Sequence, residues 1–169
     1  MNVRPAVASD ARGIATVHVQ SWQSAYRGIV PAEVLDAMSI DTRENVWRES
    51  IAQDRCELWV AETDSRIVGW TAFGPSRDPG AGPEMGELEA IYVLPEFWAT
   101  GTGRALWLVT RRRLIERGFS AATLWVLADN ARAIRFYSAA GFTPNPTSEK
   151  RHNIGGASLR EIRYGVEFV

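Results

Sequence analysis

Residues 92–106 read YVLPEFWATGTGRAL: an apolar run closed by Leu94-Pro95, then a loop whose two glycines open onto a helical pattern. The periodicity predicts a strand over 87–93 (ELEAIYV) and a helix from Gly101 to Arg117, with Gly118 as its stop. A helix start carries N–H groups without intrahelical partners and a partial positive charge, and glycine lets a phosphate approach that backbone closely. Arg104 adds a formal charge one residue on. Alone, Gly101-Thr102-Gly103 reads as a phosphate cradle or as a plain turn. A P-loop is excluded because no Gly-Lys-Ser/Thr follows. A dinucleotide fingerprint needs a third glycine where Leu106 stands and a tighter turn after the strand. Asp129, after LWVLA, imitates a ribose-binding acid and keeps a nucleotide- or S-adenosylmethionine-binding α/β enzyme open as an alternative.

Working outward, residues 2–7 read as a first strand, and Ser9-Asp10 as the cap of a helix striped by Ile14, Val17, His18, Ser21, Trp22, Ala25 and Tyr26. Gly28 and Pro31 end that helix, and Pro31 starts a short second one. Asp41 is expected to cap a third running to about Gln53, with Val46, Trp47 and Ile51 inward. ELWVAET (57–63) and RIVGWTAF (66–73) read as a hairpin, and the Gly- and Pro-rich stretch 74–86 as an exposed loop. Downstream come a strand at 122–127, a helix from Asn130 to Ala140, a strand starting at Phe142 and a last strand over 159–166. The order is α+β, with one strand–helix–strand crossover among otherwise antiparallel strands, in a single domain over residues 1–169.

Composition narrows the function. The chain has 169 residues, 46% hydrophobic and 23% charged, and a formal charge of -1, so no basic field points to nucleic acid. Cys56 is the only cysteine and His18 and His152 the only histidines, so no metal is expected. The start, MNVRPAVASD, lacks the apolar core of a signal peptide and no run approaches a membrane span, so no membrane partner and a cytoplasmic location are expected. Seven tryptophans suit an aromatic-walled pocket as well as a core. The Arg111-Arg112-Arg113 run reads as a solvated helix face.

Two stretches together resemble one family, the GCN5-related N-acetyltransferases (GNAT). Its phosphate loop follows a strand ending Val-x-Pro, has the pattern Arg/Gln-x-x-Gly-x-Gly/Ala and leads into a long helix. Val93, Pro95, Gly101 and Gly103 stand in those places. Its second signature is an Asn opening a helix that ends Phe-Tyr-x-x-x-Gly-Phe, and NARAIRFYSAAGF (130–142) resembles it nearly throughout. One residue departs: Trp98 occupies the Arg/Gln position, with Arg104, Arg132 or Arg135 as candidate substitutes.

The resemblance implies the GNAT fold, a mixed and mostly antiparallel central sheet flanked by helices. It also implies direct acetyl transfer from acetyl-CoA to a primary amine of a small molecule or peptide. By resemblance, Ile91, Tyr92 and Val93 would pair with the pantetheine amides, and Trp98, Ala99, Thr100, Gly101, Thr102, Gly103 and Arg104 would hold the diphosphate, joined by Asn130 and Tyr137. Tyr137 would protonate the thiolate. Asn130 lies seven residues before it, two helical turns, so both can address one ligand. Asn130 is also a fit helix cap. Glu87, acting through water, and Glu89, two residues on and so on the same strand face, are the candidate bases. Backbone and ordered water are the alternative. The fold's acceptor groove nominates Trp22, Tyr26 and Trp47 from the first helices, and His152 and Arg151 from a loop before the last strand. Core packing at helical spacing is the competing reading for Trp22 and Trp47. A non-catalytic acyl-CoA-binding or sensing domain is the competing function, and a homodimer is left open.

Overall fold

The computed structural model describes residues 1–168. In chain order the elements are β1 (Asn2–Pro5), α1 (Ala11–Ala25), α2 (Ala32–Asp36), α3 (Ile40–Ala52), β2 (Glu57–Thr63), β3 (Arg66–Pro75), β4 (Met85–Val93), α4 (Thr102–Glu116), β5 (Ala121–Leu127), α5 (Ala131–Ala139), β6 (Thr143–Ile154) and β7 (Ala157–Glu167). The strands form one seven-stranded sheet in the order β1-β2-β3-β4-β5-β7-β6. Every neighbouring pair is antiparallel except β4 and β5, which α4 joins as a parallel crossover.

Alternation along β3 explains the two helical layers. Trp70, 1% exposed, faces α1 and α3, lying 5.8 Å from the His18 ring and 4.5 Å from the Trp47 ring. Its neighbours face the other way. Thr71 hydrogen-bonds Thr110 of α4 at 3.0 Å, and Gly69 packs beside Leu106 of the same helix. Fully burying a side chain the size of Ile14, Val68 or Leu106 contributes about 1.5–3 kcal/mol, so these two layers supply the main hydrophobic drive.

One pairing decides where a site can form. β4 and β5 are in register only over Met85–Glu87 and Ala121–Thr123; beyond those three rungs they diverge. A bulge sharpens the bend. Ala72 pairs with Ala90 and Phe73 with Leu88, leaving Glu89 as the extra residue.

Several sequence expectations change. Ser39, not Asp41, caps α3, accepting from Thr42 N–H at 3.3 Å, while Asp41 pairs with Arg12. Asp10 does not cap α1; it binds Arg4 and accepts from Val7 N–H, satisfying a buried carboxylate. Val46 is 48% exposed instead of inward, because only the Trp47 and Ile51 side of α3 meets the core. The segment holding Arg151 and His152 is not a loop but part of β6, paired with β7 through a Gly155-Gly156 turn. Gly74 and Gly86 belong to β3 and β4, so only the residues between those strands form the loop.

Candidate active site

The divergence of β4 from β5 opens a cavity of about 810 Å³ between the two arms of the sheet. Its β4 wall is a free strand edge. Leu94 N–H donates to Val68 on the β3 side, so alternation turns the N–H and C=O of Val93 and Ile91 toward the cleft. The Val93 carbonyl is already taken by the Trp98 indole N–H at 2.8 Å. The Val93 N–H has no strand partner among the described residues.

The edge runs into the start of α4. Ala99 and Gly101 both take left-handed backbone, at φ 61° and 92°, which turns the loop over the helix end. No side chain caps α4, so the first N–H groups of a 15-residue helix are left for a ligand or solvent. The two glycines serve different ends. Gly101 permits the positive φ, whereas a Cβ on Gly103 would crowd the Phe136 ring of α5 at 3.3 Å. Gly101, Gly103, Arg104, Trp98 and Ala99 line the cavity. Thr100 and Thr102 do not: their hydroxyls bond each other at 2.9 Å, and Thr100 also donates to Phe97 C=O.

From the β5 arm come Asn130 and Tyr137. Asn130 caps α5, accepting from Ala133 N–H at 3.1 Å, and still borders the cavity, so the capping and lining placements coexist. Tyr137 lies two turns along, and its hydroxyl bonds no described residue. Burial, with a smaller effect from Tyr92, pushes its pKa above the ordinary phenol value.

Glu87 and Glu89 face the same cavity but differ in their surroundings. Glu87 is 3% exposed and accepts from the Arg77 backbone N–H at 2.8 Å and from its guanidinium. Glu89 pairs with the Arg77 guanidinium at 3.1 Å without a hydrogen bond from its backbone, and burial raises its pKa above the usual carboxylate value against the pull of that arginine.

The far end is aromatic. Trp22 and Tyr26 meet edge to face at 4.8 Å, and the Tyr26 and Tyr92 hydroxyls lie 3.4 Å apart. His152 reaches in from β6, bound to Glu161 at 2.9 Å. Trp47 instead packs in the core against Trp70 and donates to buried His18, and exposed Arg151 pairs with Glu149, so neither lines the groove. Burial lowers the His18 pKa to about 4, which keeps the ring neutral.

Sequence reasoning missed the Arg77-Asp78 dipeptide. Arg77 holds the two carboxylates of β4, while Asp78 accepts from Trp125 of β5 (2.9 Å), Lys150 of β6 (3.1 Å) and Arg163 of β7 (3.3 Å). Two consecutive residues thus clasp both arms of the cleft. Their partners are 10 to 85 residues away, and the only local signal was charge inside a Gly/Pro-rich loop.

Among the described residues no cluster of three metal-ligating side chains occurs, and no helix is long and apolar enough to cross a membrane. Asp129 is exposed and outside the cavity, and the sheet is mostly antiparallel, so the dinucleotide alternative has neither its acid nor its fold.

Known proteins resemble this chain in sequence or in fold. A Bacillus subtilis (strain 168) protein described as N-acetyltransferase YuaI is 34% identical over 166 residues, covering 98% of this chain and 92% of its own. The ribosomal-protein-alanine N-acetyltransferase of Brucella melitensis superposes with a TM-score of 0.78 at 20% identity, covering 99% of this chain and 100% of that one. The PaiA N-acetyltransferase of Thermoplasma acidophilum, solved in complex with coenzyme A, gives 0.72 at 19% identity, covering 99% and 98%. The model of the Acetyltransferase (GNAT) family matches residues 19–142, a span that takes in the free β4 edge, the glycine loop and all of α5. The chain therefore belongs to the GNAT family of acetyltransferases and is an enzyme of that class.

Proposed function

We propose that this enzyme transfers the acetyl group of acetyl-CoA to a primary amine of a small molecule or peptide, with both substrates held together in the cleft. The observation that carries this reading is the continuity of one cavity: the free β4 edge, the uncapped start of α4, Tyr137 and Glu89 all open onto it. Bound acetyl-CoA supplies a thioester, an acyl carbon open to attack with a sulfur to leave.

The residues fit that ligand part by part. The α4 N–H groups and Arg104 suit a diphosphate. The outward N–H and C=O of Ile91 suit an extended, amide-bearing arm that pairs as an added strand. The Val93 N–H is the donor for the oxygen that gains charge.

An alkylamine holds its proton up to a pKa of about 10.4, so attack requires a base. Glu87, fastened by a guanidinium and a backbone N–H, is a poor one. Glu89, with one arginine contact and a raised pKa, is the better acceptor. Tyr137, protonated at neutral pH, gives its proton to the departing sulfur. Trp22 and Tyr26 hold the amine's carbon frame, and His152 borders its outer end.

Release of free CoA thiol across an amine panel tests the proposal: sustained release with one amine class is the expected result. Acetyl-CoA binding without release for any amine would make the chain a sensing domain instead. Tyr137→Phe should lower kcat by about 10²–10⁴, the usual worth of a positioned proton donor, with CoA affinity unchanged.

A further inference from the structure

Trp98 does two things at once. Its indole N–H is tied to the Val93 carbonyl, and its ring face carries the guanidinium of Arg132, whose Cζ lies 3.1 Å from the ring centroid. The two residues come from opposite arms of the cleft, Trp98 from the loop before α4 and Arg132 from the first turn of α5. Both line the cavity near Gly101 and Gly103.

Arg132 is half-buried and has no carboxylate within ion-pair distance among the described residues. By contrast Arg77, which also lines the cavity, is neutralised by Glu87 and Glu89. Burial and the like charge of Arg135 both disfavour the charged form of Arg132. A desolvated cation without a counter-ion is costly, and an anion entering the cleft would relieve that cost. Arg104, also at this end, is exposed and has no ion pair among the described residues, so it would surrender more side-chain freedom on binding.

We propose that Arg132, held on the face of Trp98, is the cation that contacts the diphosphate of bound acetyl-CoA, and that Trp98 is its positioning residue. The inference rests on the acetyl-CoA reading above. Trp98 thereby replaces a charged loop side chain indirectly: it offers an aromatic seat to an arginine 34 residues further along the chain.

Calorimetric titration of the full chain with CoA, 3′-dephospho-CoA and pantetheine tests this. Arg132→Ala should weaken CoA and 3′-dephospho-CoA by about ten- to a hundredfold, the worth of a charge-assisted hydrogen bond, and leave pantetheine unchanged. Arg132→Gln, which keeps the side-chain length, should behave alike, and thermal unfolding of each variant verifies that it is folded. Trp98→Ala should weaken CoA less, and the double variant should match Arg132→Ala alone, because Trp98 acts through the arginine. An unchanged CoA affinity in Arg132→Ala, an equal loss with pantetheine, or additive losses in the double variant would each overturn the proposal. A loss confined to CoA would place the cation on the 3′-phosphate, again against it. Failure of the unaltered chain to bind CoA at all would instead remove the acetyl-CoA reading itself.

Discussion

Replacing Asp78 with alanine should loosen the whole cleft. Its carboxylate side chain is 8% exposed and accepts from three donors on three different strands. Breaking a buried ion pair from one side costs about 3–5 kcal/mol. Lys150 and Arg163 remain 42% and 30% exposed and can rehydrate, so the lower end, about 3 kcal/mol, is the working figure. For a chain of this size that corresponds to a fall in Tm of about 6–12 °C, read by calorimetry at pH 7. Asp78→Asn keeps the shape and one acceptor but loses the charge, so its fall should be smaller. The pH dependence follows from the same contacts. Burial pushes the Asp78 pKa up, but the bonds from Trp125, Lys150 and Arg163 outweigh it, and the folded value lies below the ordinary one. Its stabilisation is therefore complete above the unfolded value of about 4 and is lost as pH falls through the folded value. The gap between wild type and Asp78→Asn should close below about pH 4. A Tm change under about 2 °C for Asp78→Ala at pH 7 would show that the three bonds form without fastening anything.

Three further outcomes follow. Glu89→Gln should cut kcat by about 10²–10⁴ and abolish the acidic limb of the pH–rate profile, while Glu87→Gln should leave that limb in place; the reverse pattern would move the base to Glu87. Gly101→Ala and Gly28→Ala both force alanine into left-handed backbone, at φ 92° and 80°, each with nothing within 4 Å of the new Cβ. Each should cost about 1–2 kcal/mol in urea unfolding, but only Gly101→Ala should also weaken CoA, and equal CoA affinities would refute the cradle. His18 has a folded pKa of about 4 against an unfolded value near 6.5, so its stabilisation is full above pH 6.5 and declines by about 3 kcal/mol as pH falls to 4. Stability measured between pH 7 and 4 should flatten in His18→Phe, and an unchanged slope would assign the titration elsewhere.

What the sequence disclosed was local. YVLPEFWATGTGRAL and NARAIRFYSAAGF each fall within one short window, so their resemblance to the two GNAT signatures could be read without the fold. The hairpin of β2 and β3 and the crossover through α4 were legible for the same reason. The candidate bases were harder. Two residues of strand period put Glu87 and Glu89 on one face, but only the geometry of Arg77 tells the occupied carboxylate from the available one. Trp98 read as a departure from pattern because its partner is non-local, an arginine that reaches its ring only after β5 and α5 have folded back. The Asp78 contacts span three strands, and no window of sequence holds them.

The three-rung seam between β4 and β5 has a mechanical consequence. Two sub-sheets, β1-β4 and β5-β7-β6, meet at one short parallel contact, with the Arg77-Asp78 bridge as the second fastening. Everything between those fastenings depends on what fills the gap. A ligand that pairs with Ile91 and Val93 would become the missing strand, splicing two half-sheets into a continuous one. Amide exchange at those two positions would then report the occupancy of the cleft and the stiffness of the whole molecule with the same signal.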